Sequence, residues 1–315
     1  MTEPTYQSVQ DVVDDVRALG PLGGSAYGQS AATAFKLAAA DPAIESAAAL
    51  FASLDQLVAV LLAEKPTMAT IHNAQALIIE KTRRERETTL QMKKAAIIKR
   101  AELFIALSQQ AVERLGQVGG NLIEDGQVVM MHSFSKSLMS IFRQAREMGK
   151  DFRVICSESR PTHESRVALK QLTGWGIPVT YVLDAAVATL LPQAHWCLVG
   201  ADSLSIDGAA ANKVGTYQLA VLAHQFNKPL YVATEVMKLQ RKTIEGQPIQ
   251  LEHRPAHEVL KQLHPGFEFP DGVTVWNQFF DLTPAALIRS LITEQGIISP
   301  GAIGAAWDKL AAAFE

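Results

Sequence analysis

Asp202 ends the run Cys197-Leu198-Val199-Gly200-Ala201, which carries no charge before the acid. A carboxyl group at the tip of a buried strand is a candidate for a raised pKa and for proton transfer. The plainer uses of the same acid are a helix cap or a partner for Lys213. Asn212-Lys213-Val214-Gly215-Thr216 reads as the opening of a helix soon after Asp207-Gly208. Free backbone N–H groups and a lysine at such an opening seat a phosphate, while capping by Asn212 is the ordinary alternative. Arg160, followed by Pro161, and Arg166 offer guanidinium groups that grip phosphate through two bonds; surface ion pairing is the common alternative. His132-Ser133-Phe134-Ser135 follows another apolar run, and His132 either positions a ligand or is a satisfied structural histidine. The stretch from Gly20 to Gly28 lacks the spacing of a dinucleotide loop and has no strand before it. It reads as a loop and cap, or as a second phosphate cradle.

The elements that must position these residues change character along the chain. Up to about residue 120, alanine, leucine and long charged side chains predict helices, including 41–64 and 80–107. The basic cluster Lys81, Arg83, Arg84 and Arg86 is interleaved with Glu85 and Glu87. It reads as a solvated helix face, with a phosphate-contacting patch as the alternative. Beyond Asp125-Gly126, short apolar runs at 128–131, 152–155, 179–183, 196–199 and 230–233 predict strands buried on both faces. Helical stretches at 136–148, 164–172, 185–191 and 213–225 lie between them. This alternation predicts an α/β fold with a right-handed parallel sheet. The expected division is a helical domain over 1–120 and a ligand-binding domain over 121–315. Thr283-Pro284 predicts a helix reaching Gln295-Gly296, and Ser299-Pro300 predicts another. Ligands of open parallel sheets bind beyond the carboxyl ends of the strands. Those ends are His132 to Ser135, Ser157 to Arg160, Asp184, Gly200 to Asp202, and Thr234-Glu235, and all are polar.

Composition narrows the classes further. The 315 residues are 48% hydrophobic and 19% charged, enough apolar material for a sizeable core. A net charge of −3 argues against direct nucleic-acid or anionic-membrane binding. Cys156 and Cys197 are too few for a disulfide framework and read as inert core residues. No histidine–carboxylate pairing has metal-ligand spacing, so no metal is expected. The apolar stretch 47–63 is broken by Ser53, Asp55 and Gln56, and reads as a helix outside any membrane. A cytoplasmic protein is expected.

Several stretches, in order, carry a resemblance. They are Gly24-Ser25-Ala26-Tyr27-Gly28, Lys65-Pro66-Thr67, Asp125-Gly126 through Ser135, and Ser157-Glu158-Ser159-Arg160-Pro161. Asp184-Ala185-Ala186, Gly200-Ala201-Asp202 and Asn212 through Thr216 follow, then Phe280 through Pro284 and Thr293 through Gly296. This set resembles the family that comprises the alpha, beta and delta subunits of translation initiation factor 2B, methylthioribose-1-phosphate isomerase and ribose-1,5-bisphosphate isomerase. The resemblance implies a helical N-terminal domain on a Rossmann-like domain, a homodimer, and no cofactor. It also implies a small phosphorylated ligand, either a sugar phosphate or a nucleoside monophosphate. Its isomerases convert an aldose 1-phosphate to a ketose 1-phosphate with a cysteine and an aspartate as acid and base. Asp202 matches that aspartate, but Ser133 stands in the cysteine's place, and a hydroxyl is a far poorer acid/base than a thiol. Gly23 and Lys65 stand where the isomerases carry arginines. The first reading is therefore an initiation factor 2B-related protein that binds a phosphorylated sugar or nucleotide at the sheet rim, without support for turnover. Gly24, Ser25, Lys65, His132, Ser135, Arg160, Arg166, Asn212 and Lys213 would hold the ligand, and Asp202 its hydroxyls. The alternatives are an active aldose–ketose isomerase with Asp202 as base and Ser133, water or His132 supplying the other proton, and a subunit of a larger complex that binds no ligand.

Overall fold

The computed structural model describes residues 6–18, 20, 23–86, 89–260 and 266–315. Six helices come first: α1 (Val9–Arg17), α2 (Gly24–Ala40), α3 (Ala47–Glu64), α4 (Ala69–Ala74), α5 (Lys81–Arg84) and α6 (Leu90–Gly120). A wide π-turn, Gln75–Glu80, joins α4 to α5. Ser8, Ser46 and Thr89 cap α1, α3 and α6 by accepting backbone N–H bonds, which satisfies donors that a helix start leaves free. The expected helix over 80–107 is in fact two, because α5 stops at Arg84 and α6 restarts under the Thr89 cap. In the basic cluster, Arg83 pairs with Asp55 and Glu80, and Lys81 pairs with Glu315. Pro21, Leu22, Glu87 and Met1 to Thr5 lie outside the described residues. Among these residues, α3 has the length and apolar content of a membrane span. It buries Leu50, Leu54, Leu57, Val58 and Leu61, at helical spacing, in the core.

The second part alternates strand and helix. It comprises β1 (Val128–His132), α7 (Lys136–Glu147), β2 (Arg153–Ser157), α8 (Ser165–Gly174), β3 (Val179–Val182), α9 (Val187–Leu190) and β4 (Trp196–Gly200). Next come β5 (Ser203–Leu204), β6 (Ala210–Lys213), α10 (Thr216–Gln225), β7 (Leu230–Ala233), α11 (His257–Leu260), β8 (Phe280–Thr283), β9 (Ser290–Thr293), β10 (Gly296–Ile298) and α12 (Ile303–Ala312). The main sheet runs β10-β9-β7-β4-β1-β2-β3 and is parallel except for β10. β5, β6 and β8 form a small antiparallel sheet. All five expected strands are present. β1 and β4 are buried along their whole length, but β3 is an edge strand with exposed positions, because no strand covers its outer side.

Two further expectations fail. The segment after Thr283-Pro284 is not a helix: a single 3-10 turn, Ala285–Leu287, leads into β9 and β10. Leu291 and Ile292 are fully buried because β9 pairs in parallel with β7 and β10 folds back on it, and that tertiary pairing overrides helix propensity. Asn212 and Lys213 end strand β6 rather than opening a helix, and α10 begins only at Thr216. The helix foreseen at Ser299-Pro300 does form, as α12 after one 3-10 turn.

Strand order reverses between β1 and β4. β1, β2 and β3 run outward on one side, and β4, β7 and β9 on the other. A crevice opens at such a reversal beyond the carboxyl ends of the strands. His132 lies opposite Val199 in the β1–β4 register, which places Ser133 and Asp202 on the two lips of that crevice.

Candidate functional site

Asp202 leaves β4 and turns immediately into the small sheet, its N–H bonded to the Ala211 carbonyl at 2.8 Å. Its carboxylate accepts the Gly24 N–H at the start of α2. A Cβ on Gly24 would stand 3.2 Å from the Asp202 Oδ1, so a small residue is what lets α2 approach so closely. The helix-cap role of Asp202 is therefore real. Burial raises its pKa to about 6 against the pull of Lys238 and Lys213, with Glu164 adding to the rise.

Lys213, at the end of β6, is 2% exposed. Its Nζ donates to Glu164 Oε1 at 3.1 Å and lies over the Phe279 ring. Burial lowers its pKa, and Glu164 opposes that shift. Asn212 donates to the Thr216 Oγ1. The phosphate seat expected at the start of α10 is occupied: Gly215 N–H and Tyr217 N–H both donate to the Asp281 carboxylate. Gly215 itself has φ +103°, and a Cβ there would meet the His132 ring at 2.8 Å.

His132 is held on both sides. Its Nε2 lies 2.8 Å from the Val214 carbonyl, so that nitrogen carries the proton, and Nδ1 accepts from Ser157 Oγ at 2.6 Å. Burial lowers its pKa, with Asp184 opposing. Of the two roles foreseen, the structural one fits. Ser133 follows with φ +64°, a left-handed conformation uncommon for a serine, and its Oγ donates to Glu164 Oε2 at 3.1 Å. Ser135 packs on Gly200, leaving no room there for a side chain.

Lys65 is buried beside Glu252 at 3.7 Å, and its Nζ is 5.5 Å from the Tyr27 ring centre. Tyr27 is raised by burial and by the charges of Glu252, Asp202 and Glu164. Arg254 joins Glu252 to Glu258 and stacks on Phe279. Arg160 is half-buried after β2, and its N–H donates to Asp184. Its guanidinium makes no ion pair among the described residues. Arg166 is exposed on α8 and is likewise not joined to Lys213. The structure thus brings together Gly24, Ser25, Lys65, Ser133, Asp202 and Lys213. It uses His132, Ser135 and Asn212 as supports, and leaves Arg166 outside.

The sequence reading misses a buried network that joins Ser25 and Glu235 to Ser137 and Lys238. Ser25 Oγ donates to Glu235 Oε1 at 2.7 Å, and Ser137 donates to the same oxygen at 3.0 Å. Lys238 Nζ pairs with the other oxygen at 2.8 Å. Glu235 was among the polar strand ends; Lys238, three positions on, is the signal that could have flagged its partner. Glu252 and Arg254 lie on irregular chain and offer no pattern. No group of three or more metal-ligating residues occurs among the described residues.

Glu294 extends this network, accepting the Val236 N–H at 3.1 Å. Burial raises its carboxyl to about 7. A raised carboxyl adds stability fully below its ordinary value near 4.5, and that stability is lost as pH rises through about 7. Glu294→Gln keeps the acceptor and removes the titration. Thermal unfolding is expected to show the variant gaining on wild type from pH 5 to pH 8, reaching roughly 1–2 kcal/mol. A gap that does not change with pH would refute this.

The pattern of the initiation factor 2 subunit family matches residues 22–300. Ribose 1,5-bisphosphate isomerase of Thermococcus kodakarensis is 32% identical over 296 residues, covering 93% of this chain and 92% of that protein. Methylthioribose-1-phosphate isomerase of Syntrophotalea carbinolica is 33% identical over 304 residues, covering 93% and 88%. Among solved structures, the Pyrococcus horikoshii translation initiation factor eIF-2B superposes with a TM-score of 0.79 at 28% identity, covering 94% of this chain and 98% of that one. With the fold, the ordered motifs and a match over most of its length in agreement, the chain belongs to the initiation factor 2 subunit family.

Proposed function

We propose that this protein is an aldose–ketose isomerase acting on a sugar 1-phosphate bound at the β1–β4 crevice. The observation that carries the reading is Asp202: a carboxyl at the end of β4, bonded to the Gly24 N–H, whose pKa burial lifts to about 6 against the charge of the buried Lys213. Opening the sugar ring and moving the carbonyl from C1 to C2 needs one proton delivered to the ring oxygen as the C1–O bond breaks. One proton must also leave the C2 hydroxyl, while the C2 hydrogen moves to C1 with its electron pair. Nothing is oxidised or reduced overall. A carboxyl raised to about 6 holds its proton below that pH and keeps a minor protonated fraction above it, which suits the delivery step, so we assign Asp202 the acid role instead of the base role expected from sequence. Lys213, Lys65 and the first turn of α2 around Ser25 supply positive ends for phosphate. The relatives named as sugar-phosphate isomerases support the same class.

Binding without turnover is the second reading, favoured by Ser133 where the family resemblance calls for a thiol. A homodimer working in the cytoplasm belongs to both readings, and two free, buried cysteines suit a reducing compartment. The test is a thermal-shift screen of the purified protein against sugar 1-phosphates, sugar bisphosphates and nucleoside monophosphates. Each stabilising compound is then followed by phosphorus NMR. A ligand at a hundred times its Kd adds about 2.7 kcal/mol of stability. A stabilising sugar phosphate that becomes its ketose supports the isomerase. One that stays unchanged supports binding alone, and no shift with any of them defeats both.

A further inference from the structure

The reaction proposed above needs two proton-transfer groups, and Asp202 is one. The sequence offers Ser133, water or His132 for the other, but both His132 nitrogens are held by Ser157 and Val214, and an unassisted hydroxyl neither takes nor gives a proton readily near neutral pH. The structure holds a better group 3.1 Å from it. Glu164 lies just before α8, where the chain turns back towards the crevice after Arg160-Pro161. Its side chain remains 30% exposed, while that of its partner Lys213 is 3% exposed. Two donors fix it: Ser133 Oγ on Oε2 and Lys213 Nζ on Oε1, with Thr162 Oγ1 on the far side of the ammonium at 3.4 Å. The charge of Glu164 acts on both Asp202 and Tyr27, and the charge of its bonded partner Lys213 also acts on Asp202. The left-handed Ser133 has a use in this arrangement: it aims its hydroxyl at Glu164.

We infer that Glu164 takes the second proton of the isomerisation, from the C2 hydroxyl of the sugar, with Ser133 and Lys213 orienting its carboxylate. The inference rests on the isomerase reading. In the step, the Asp202 proton goes to the ring oxygen and the C1–O bond breaks. The C2 hydrogen passes to C1 with its electron pair. The C2 hydroxyl proton goes to Glu164, and C2 becomes a carbonyl. Glu164 then releases its proton to water and Asp202 regains one, so no further reactant is consumed. A carboxylate already accepting two bonds keeps a free lone pair on each oxygen for the substrate hydroxyl.

The experiment uses the full chain and ribose 1,5-bisphosphate, with conversion read by phosphorus NMR. Glu164→Gln is expected to lower kcat by roughly a hundred- to ten-thousand-fold with KM within a few-fold of wild type. Adding Ser133→Cys to that variant is expected to restore kcat at least tenfold, because a thiol there stands within 3.1 Å of the lost carboxylate oxygen. Glu164→Asp covers the case in which Gln disturbs folding: with an unchanged melting temperature, its kcat is expected to fall about tenfold. Wild-type turnover combined with unaffected kcat in Glu164→Gln overturns the role of Glu164 and leaves the isomerase reading standing. A wild-type protein that binds sugar phosphates without converting them removes the isomerase reading, and this inference with it.

Discussion

Asp202→Asn is expected to lower kcat for isomerisation by roughly a hundred- to ten-thousand-fold while ligand affinity stays within a few-fold of wild type. The substitution keeps the shape of the side chain and an oxygen for the Gly24 N–H. What it removes is the proton. Burial raises the Asp202 carboxyl to about 6, so the acid is present below that pH and is lost as pH rises through it. The wild-type kcat/KM profile should therefore fall on its alkaline side from about pH 6, by about tenfold per pH unit, and the Asn variant should lack that limb. The two halves separate the role from a structural one. A mere cap of α2 would change stability and leave the pH profile in place. Retention of the alkaline limb in the Asn variant would assign it to another group and remove Asp202 from the chemistry.

The lips of this site were legible because their strands are near-continuous apolar runs. Val128 to Met131 and Trp196 to Val199 announce buried parallel strands, and the polar residues that end them fall at the crevice. What the sequence hid depends on partners distant in the chain. β6 has four residues, and only pairing with β8, which sets Lys213 opposite Phe280, makes it a strand. Read locally, Asn-Lys-Val-Gly-Thr looks like a helix start, and the Asp281 carboxylate that fills the real helix start comes from that same later strand. β9 was hidden for the same reason, because Thr-Pro-Ala-Ala-Leu satisfies local helix rules and only β7 overrules them. Glu164 and Glu252 were passed over because a lone acid near a turn or on irregular chain has no period to mark it.

The distant pairings also connect stability to the site, and Lys238→Met should expose this connection. Glu235 and Lys238 are both at most 2% exposed, 2.8 Å apart, with Ser25 and Ser137 on the remaining oxygen. Burial alone would raise the Glu235 carboxyl; Lys238 and the hydrogen bonds outweigh it and hold the group below its ordinary value. A lowered carboxyl contributes stability above its unfolded pKa, lost as pH falls through the folded value. Methionine fills the space of the lysine stem and leaves the carboxylate without a counter-charge, a change that costs about 3–5 kcal/mol. For a chain of this length that is a melting temperature lower by about 5–8 °C. The deficit should be larger at pH 8 than at pH 5, because at pH 5 the stranded carboxyl can escape by taking a proton. Replacing Glu235 by Leu in the same chain should recover most of the stability, since an apolar pair of similar volume has no charge to strand. It should not recover ligand affinity, because the Ser25 hydroxyl at the first turn of α2 loses the acceptor that fixes it. Lys238 is also the strongest attraction acting on Asp202, so both variants should shift the alkaline limb of the kcat/KM profile to higher pH. If stability and affinity return together, or the limb does not move, the buried pair is a support for the fold alone and takes no part in setting the acid.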